Sequence, residues 1–308
     1  MLKRVGKLLG VFVCLAVAIL LLAPISAKAM EGGPSGGLGG EDFMGGALPP
    51  PGFYYLNYLM YYSTNTVKDN NGNKVEIPTR DFKVQALVDL NRFVYISKFK
   101  FLGADYGAQV IVPLVNVNVQ PFTATSEKRS GVGDIVLTPL ILGWHSKNWH
   151  GVFGVDAFVP TGSYNKYRPD NIGRNYWSSE IAAAFTYMSD GGFEVSSKFM
   201  FDINFKNPDT NYKSGNEFHM DALVGYHIGP WGLGVNGYYY KQVSDDSMDG
   251  VTFIDGNRGQ VIGIGPAVNY TTAKHITFSA KYHKEMSQKH DGRRQVLVKG
   301  CHSVLMEM

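Results

Sequence analysis

The chain has 308 residues, with 29 Lys and Arg, 26 Asp and Glu, 36 Gly and only two Cys. The near balance of charge gives no broad basic surface, which argues against nucleic acid as a partner. Past residue 30 no apolar run is long enough for a spanning helix, which excludes a helical membrane protein beyond that point.

The first 29 residues have the layout of a secretory signal peptide. Lys3, Arg4 and Lys7 precede an apolar run over 8–22, and Ala27-Lys28-Ala29 has the small-x-small form of a cleavage site. We therefore predict a cleaved signal peptide over 1–29, with an uncleaved membrane anchor as the alternative. The remaining chain has 25 basic and 26 acidic residues and one cysteine, so no internal disulfide is expected.

Residues 30–52 are rich in Gly and Pro. Such a segment buries too little apolar surface to offset the entropy lost on ordering. We predict a flexible periplasmic lead-in that Pro49–Pro51 stiffens as the chain approaches the first strand. The alternative is that this segment plugs a pore.

From residue 53 the chain is a succession of segments with alternating apolar and polar residues. The clearest is FEVSSKFMFDINF (193–205), where Phe199 and Phe201 share one face and Lys198 and Asp202 the other. Period two indicates a β-strand. Thirteen residues in phase exceed the usual five or six of soluble strands and match the roughly 9–11 that a tilted strand needs to cross a bilayer.

About twelve such strands are predicted. They run near 53–62, 82–96, 104–117, 131–145, 150–160, 176–189, 192–206, 217–228, 231–242, 259–271, 275–286 and 293–300.

Short breaks at 146–149, 189–192, 229–230 and 271–274 alternate with long polar breaks at 63–81, 118–130, 161–175, 207–216 and 243–258. Short periplasmic turns and long external loops are typical of outer-membrane barrels. Trp144 with Trp149 and Tyr226 with Trp231 flank two short turns, as an aromatic girdle would, although a soluble sheet can also pair aromatic residues.

These patterns together predict an all-β fold. The fold is a transmembrane antiparallel up-and-down β-barrel of about 12 strands over 53–300, with periplasmic termini. The barrel must close, because an unpaired sheet edge in hydrocarbon costs several kcal/mol per polar group.

The strand phase assigns a set of residues to the lumen. The predicted lumen-lining residues are Asp156, Glu180, Glu194, Lys198, Asp202, His219, Asp221, His227, Tyr238, Tyr240, Lys281 and His283. This mixture of charges is either a polar ladder that binds or filters a solute, or a self-compensating network that keeps the bore hydrated. No metal site and no cofactor are predicted from the motifs.

An enzymatic alternative is an outer-membrane lipid hydrolase. His219 and Asp221 lie two residues apart on one face, where the carboxylate could orient the imidazole. A lipid hydrolase needs its Ser and His on the lipid side, and none of the eight His is assigned outward. We therefore predict no catalytic residues and a protein that is not an enzyme.

Several long blocks resemble one family of outer-membrane proteins. They include ALPPPGFYYLNYLMYY, GVGDIVLTPLILGWH, DAFVPTGSYN, GRNYWSSEIAAAFTY and DINFKNPDTNYKSGNEFHMDALVGYHIGPWGLGVNGYYYKQ, followed by GIGPAVNY. The chain is similar over nearly all of 47–290 to the family named for the meta-pathway of phenol degradation.

The resemblance implies a porin-like channel for passive uptake of small aromatic or hydrophobic compounds across the outer membrane of a Gram-negative bacterium. Its expected partners are outer-membrane lipids, such solutes and the outer-membrane assembly machinery. Inward rings at Phe158, Tyr176, Tyr238 and Tyr240 fit an aromatic solute. The alternative is a non-conducting structural barrel that binds a partner through its loops.

The C-terminus departs from the pattern of such barrels, which end on an aromatic residue. This chain ends GRRQVLVKGCHSVLMEM, and its alternation fades after Val298. Either the last strand ends near residue 300 and 301–308 is a tail, or the terminus is altered and assembly is affected.

Overall fold

A computed structural model of the chain describes residues 37–66, 73–74, 82–120, 126–253, 256–289 and 292–302. No helix in these residues is long and apolar enough to span a membrane. The predicted signal peptide and most of the predicted tail lie outside the described residues.

The described residues form sixteen β-strands. They are β1 (Gly52–Thr66), β2 (Lys83–Phe101), β3 (Ala104–Gln120), β4 (Glu127–Val132), β5 (Ile135–His145), β6 (Trp149–Val159), β7 (Ser178–Met188), β8 (Phe193–Asn204), β9 (Tyr212–Lys213), β10 (Glu217–Ile228), β11 (Trp231–Gln242), β12 (Ser247–Met248), β13 (Val251–Thr252), β14 (Gln260–Thr271), β15 (Thr277–Lys289) and β16 (Gly292–His302).

Thirteen of these strands form one closed antiparallel sheet, which is a ring of twelve because β4 and β5 are two parts of one strand. In chain order each long strand pairs with the next, and the ring closes where β1 pairs with both β2 and β16. β4 and β5 both pair with β3 and are separated only by Gly133 and Asp134, so they count as one strand of the barrel. The predicted fold class is therefore confirmed.

The predicted strand boundaries and loops differ from the structure in places. β2 runs to Phe101 and turns at Leu102 and Gly103, β4 forms inside the predicted loop 118–130, and β16 runs to His302. Two long predicted loops also pair with each other through a small sheet of β9, β12 and β13. These extensions arise because a folded loop must still pair its backbone N–H and C=O groups.

The alternation of β8 separates two environments. Phe199 and Phe201 are 39% and 37% exposed on the outer face, whereas Met200 and Asp202 are 5% and 0% exposed on the inner face. Adjacent strands keep the same phase, because Ala183 pairs with Phe199 and Phe199 pairs with Met220. The apolar side chains therefore form a continuous outer band, as expected for a membrane barrel.

Aromatic side chains cluster near the short turns. The rings of Trp149 and Tyr187 lie 4.8 Å apart, and those of Trp231 and Tyr270 lie 4.6 Å apart. The indole nitrogen of Trp144 donates to the carbonyl of Leu102 in the first short turn. This ring of aromatics occupies one end of the barrel, where amphipathic rings favour the headgroup level.

The outer face is not apolar everywhere. On β1 and β2, the Asn57 side chain donates to the Asp89 carboxylate, and the Tyr55 hydroxyl donates to Asn91 Oδ1 over 2.6 Å. All four alternate with inward residues such as Tyr58 and Leu90. Mutual hydrogen bonds lower the cost of placing these polar groups on the outer face.

Candidate functional site: a cavity between a plug and an external loop

All twelve residues predicted to line the lumen lie on the inner face of the barrel. Ten of them are buried, and Lys198 and His227 are partly buried. They do not form one site, because only five of them border a cavity in the bore, namely Asp156, Glu180, Lys198, His219 and Asp221. The others contact the N-terminal segment or one another.

The predicted flexible periplasmic lead-in is wrong for its described residues. Residues 37–48, the plug segment from here on, run inside the barrel and not free below it. Residues Leu38, Asp42 and Phe43 are less than 9% exposed. The segment docks despite its composition, because the barrel wall supplies the apolar surface and hydrogen-bond partners that the segment itself lacks.

Charged side chains of the wall bind the backbone of the plug segment. The two carboxylate oxygens of Asp221 accept the N–H groups of Gly39 and Glu41 over 3.0 and 2.9 Å. Lys281 donates to the carbonyls of Gly40 and Glu41 over 3.0 and 2.7 Å. Charge-assisted bonds of this kind are stronger than neutral ones, so these two side chains fix the segment in the bore.

A second group of contacts lies nearer the aromatic end. Glu194 accepts the N–H of Met44 over 2.6 Å and also contacts His227 Nε2 over 2.6 Å. The N–H of Gly46 donates to Thr186 Oγ1 over 2.9 Å. Glu194 and His227 therefore hold the plug segment and do not reach the cavity.

The side chain of Glu41 connects two distant parts of the wall. Its Oε1 lies 3.5 Å from Arg92 Nη1 on β2 and 3.5 Å from Lys198 Nζ on β8. β2 and β8 are five strands apart in the ring of twelve. The Glu41 carboxylate therefore links cations from nearly opposite sides of the bore, and this contact narrows the bore.

Three apolar side chains anchor the plug segment at five-residue intervals. Leu38 packs on a cluster with Tyr238, Tyr240 and Val261, and Phe43 packs on Leu223 and Ala267. Leu48 packs against a third cluster at Ile96 and Ile141. Burial of an apolar side chain stabilises by about 1.5–3 kcal/mol, so each anchor favours the docked segment.

Two glycines explain why the segment fits. Gly39 has φ +67° and lies where an added Cβ would come within 2.8 Å of the His283 and Tyr238 rings. At Gly46 an added Cβ would lie 2.2 Å from the backbone of Phe185. The glycine content that predicts flexibility in isolation therefore permits close approach to the wall.

Above the plug segment lies a cavity of about 500 Å³. One wall is apolar and comes mainly from β2 and β3, with inward residues Val84, Ala86, Val88, Leu90, Ile111, Pro113, Val115, Val117 and Val119. The facing wall is polar and includes Asp156, Glu180, Lys198 and His219. The predicted inward rings of Phe158 and Tyr176 also border the cavity, whereas Tyr238 and Tyr240 pack on Leu38.

The apolar wall was not predicted from the sequence. Strand phase is read from polar residues on the inner face, whereas β2 and β3 place apolar residues on both faces. The stretches KVQALV and QVIVPLVNVNV carry this signal, since apolar residues there occupy both phases. Near-continuous apolar runs indicate a strand buried on both faces.

An external loop closes the other side of the cavity. Asp134, between β4 and β5, accepts the N–H groups of Gly162 and Arg174 over 2.8 Å each. Asp170 of the loop is fully buried. Arg168 binds its carboxylate in a bidentate manner, with Nε donating to Oδ1 over 2.9 Å and Nη2 donating to Oδ2 over 2.8 Å. Arg129 on β4 lies 3.5 Å from the same carboxylate.

Burial alone would raise the pKa of Asp170. Hydrogen bonds and positive charge from Arg168 and Arg129 outweigh this effect, and the net pKa lies below the ordinary value. Asp170 is therefore ionised at neutral pH, and its ion pairs hold the loop against β4.

A row of carboxylates crosses the polar wall. Asp156 pairs with Glu180, Glu180 with Asp202 and Asp202 with Glu217 in direct cross-strand register on β6, β7, β8 and β10. Like charges directly opposite one another are destabilising. The row therefore requires positive charge, and His219 lies 3.4 Å from Glu180 and 3.3 Å from Asp202.

A closed antiparallel ring with an apolar outer band and a charged, plugged bore defines an outer-membrane β-barrel. Residues 64–292 match the family model described as "Putative MetA-pathway of phenol degradation". The match covers more than half of the chain, so the chain belongs to this family, as the sequence blocks predict.

Solved structures share the architecture. The COG4313 outer membrane channel from Pseudomonas putida F1 is 18% identical, with a TM-score of 0.73 over 84% of this chain and 97% of that chain. This similarity establishes a shared fold.

Two further solved barrels give weaker matches. A Pseudomonas aeruginosa FadL homologue is 9% identical, with a TM-score of 0.41 over 81% of this chain and 88% of that chain. The beta domain of the Bordetella autotransporter BrkA is 9% identical, with a TM-score of 0.43 over 82% of this chain and 100% of that chain. TM-scores this low do not establish a shared fold. No curated protein matches the sequence.

Proposed function

We propose that the protein is a passive channel of the Gram-negative outer membrane for small aromatic or apolar solutes. The observation that carries the proposal is the cavity of about 500 Å³ between the plug segment and the external loop. Ligand sites of this size class are typically apolar with a few oriented polar groups.

The two walls of the cavity suit a solute with an apolar ring and a polar substituent. The inward valines of β2 and β3 present a dry surface to the ring. Arg92 and Lys198, which also hold Glu41 of the plug segment, are cations able to bind a hydroxyl or carboxylate. The family description, which refers to phenol degradation, supports the same class of solute.

Passive conduction fits the absence of any energy-coupling motif in the sequence, and entry would be governed by the external loop and the plug segment. In this proposal the lumen-lining residues have two tasks. Asp156, Glu180, Lys198 and His219 line the solute path, and Glu194, Asp221, His227 and Lys281 hold the plug.

The test compares uptake of phenol or toluene with uptake of a sugar, in cells with and without the protein. Val115→Asp places a charge on the apolar cavity wall, and Asn116→Asp places the same charge one residue away on the outer face. We expect the protein to raise aromatic uptake and not sugar uptake, and Val115→Asp to remove most of that gain while Asn116→Asp keeps it.

Correct folding of both variants is checked by heat-modifiable mobility in gels. Equal uptake of sugar would indicate a general porin. Aromatic uptake that is the same with and without the protein, together with no conductance steps in planar bilayers, would favour the non-conducting barrel.

A further inference from the structure

Three side chains of the polar wall converge on one point. Glu180 of β7, Asp202 of β8 and His219 of β10 each direct one ligand-type atom into a group whose atoms all lie within 4.8 Å of one another. The side chains are 3%, 0% and 2% exposed. Among the described residues, no other three side chains of His, Cys, Asp or Glu bring their ligand atoms this close together.

Two of the three lack ordinary hydrogen-bond partners. Both carboxylate oxygens of Asp202 and both ring nitrogens of His219 are buried without a hydrogen bond to any described residue. Buried ionisable groups whose polar atoms make no hydrogen bond carry a desolvation cost of several kcal/mol. Such groups, aimed at a common point, indicate a ligand that the protein atoms alone do not supply.

The distances specify what kind of ligand fits. His219 Nε2 lies 3.4 Å from Glu180 Oε2 and 3.3 Å from Asp202 Oδ2. These separations are long for a hydrogen bond. Zinc bonds of about 2.0–2.2 Å in a tetrahedron place neighbouring donor atoms about 3.3–3.6 Å apart, which matches both separations.

The charge of the surroundings favours a cation. The cross-strand row of four carboxylates that contains Glu180 and Asp202 puts like charges opposite one another. Lys198 Nζ approaches only Glu180 within this group, at 3.7 Å from Oε1. A divalent ion would neutralise Glu180 and Asp202 together and leave the imidazole as a neutral ligand.

We propose that Glu180, Asp202 and His219 form a binding site for a divalent transition metal of the zinc class, with three protein ligands. Glu180 and His219 also border the cavity, and the proposal places the fourth coordination position on that side, for water or a solute oxygen. One imidazole and two carboxylates favour zinc or manganese over calcium, which prefers six to eight oxygen ligands. This site does not depend on the protein being a channel.

The test is zinc titration of the purified full barrel in detergent, by calorimetry after dialysis against EDTA. The exposed imidazoles of His145 and His150, with Nδ1 atoms 3.0 Å apart, are an unrelated place where zinc could collect. All proteins in the comparison therefore carry His150→Ala. We expect one zinc ion per chain, bound at least about 100-fold tighter than calcium.

Matched variants locate the ion. His219→Ala and Asp202→Asn should each lower zinc affinity about 10- to 100-fold or more. His227→Ala, which removes an inward imidazole bound to Glu194 outside the group, should leave the affinity within about twofold. Folding of each variant is verified by heat-modifiable mobility.

Cobalt provides a second readout that does not need the variants to fold. Bound Co²⁺ in the unaltered site should show the strong visible absorption of tetrahedral coordination, and zinc should displace it. Absence of stoichiometric zinc binding would overturn the proposal and leave a protonated His219 between the two carboxylates as the occupant. Equal affinity in His219→Ala and His227→Ala would overturn it as well.

Discussion

At the scale of single residues, the inner and outer faces of β8 impose opposite demands on neighbouring positions. Phe199 is on the outer band near the ring of Phe185, and Lys198 points inward to Glu41 and Glu180. Replacement of Phe199 by a cation exposes that charge to acyl chains. Replacement of Lys198 by Ala removes a cation that lies between the carboxylates of Glu41 and Glu180.

We therefore predict that Phe199→Arg lowers the free energy of unfolding by roughly 2–4 kcal/mol, the cost of a cation near the bilayer midplane. Lys198→Ala should leave the barrel folded and change ion selectivity, because Glu41 and Glu180 lose a counter-charge. Urea unfolding in lipid vesicles measures the first effect and reversal potentials measure the second. If both positions tolerate substitution equally, the assignment of inner and outer faces is wrong.

At the scale of elements, the external loop 160–177 is held by a few charged contacts on a rigid wall. Asp170 is the centre of one group, with Arg168 in the loop and Arg129 on β4. Because its pKa is held below the ordinary carboxyl value, the stabilisation it provides is fully present above about pH 4. This stabilisation is lost only as the pH falls through the lowered pKa, so ionised Asp170 holds the loop against β4 at neutral pH.

We predict that Asp170→Asn opens this loop and raises the rate of tryptic cleavage after Lys166 roughly tenfold, since proteolysis follows local opening. The matched control is Asp190→Asn, which removes an exposed carboxylate paired with Lys147 over 2.6 Å in a short turn at the other end of the barrel. That variant should be cleaved at the rate of the unaltered protein. Equal cleavage of all three would show that Asp170 does not restrain the loop.

The strands differ in how far their roles follow from sequence. β8, β10 and β15 alternate strictly, so both their existence and their phase were predictable, down to Asp202, His219 and Lys281 on the inner face. β2 and β3 were predictable as strands only. Their inward valines form the apolar cavity wall, and a run with apolar residues in both phases does not say which set faces the bore.

At the scale of the whole molecule, the closed ring determines what the N-terminal segment does. Judged alone, the glycine-rich sequence 37–48 predicts disorder. In the barrel it meets three apolar clusters. It also meets the charges of Asp221, Lys281 and Glu194, whose contacts join residues at least 150 positions apart in sequence. No local sequence pattern encodes contacts between residues so far apart in the chain, which is why composition alone predicts disorder for this segment.

The plug segment also limits what the bore can pass. A ring of twelve strands lies between barrels filled by side chains and porins with open channels, so its conductance depends on what occupies the lumen. With the segment docked, Glu41 joins Arg92 and Lys198 across the bore, and the cavity ends at Gly37, Gly40 and Glu41. Passage through the barrel therefore requires this segment to move or to leave a narrow path beside it.

We predict that deletion of residues 37–47 raises single-channel conductance about two- to fivefold and weakens the discrimination between aromatic solutes and sugars. Asp221→Ala should act in the same direction and more weakly, because it removes both acceptors of the Gly39 and Glu41 N–H groups. Asp190→Ala is the control: it removes an exposed carboxylate, paired with Lys147 in the short turn between β7 and β8, and should leave conductance near that of the unaltered channel. An unchanged conductance after deletion would mean that the segment does not obstruct the path, and the barrel wall alone would then have to account for selectivity.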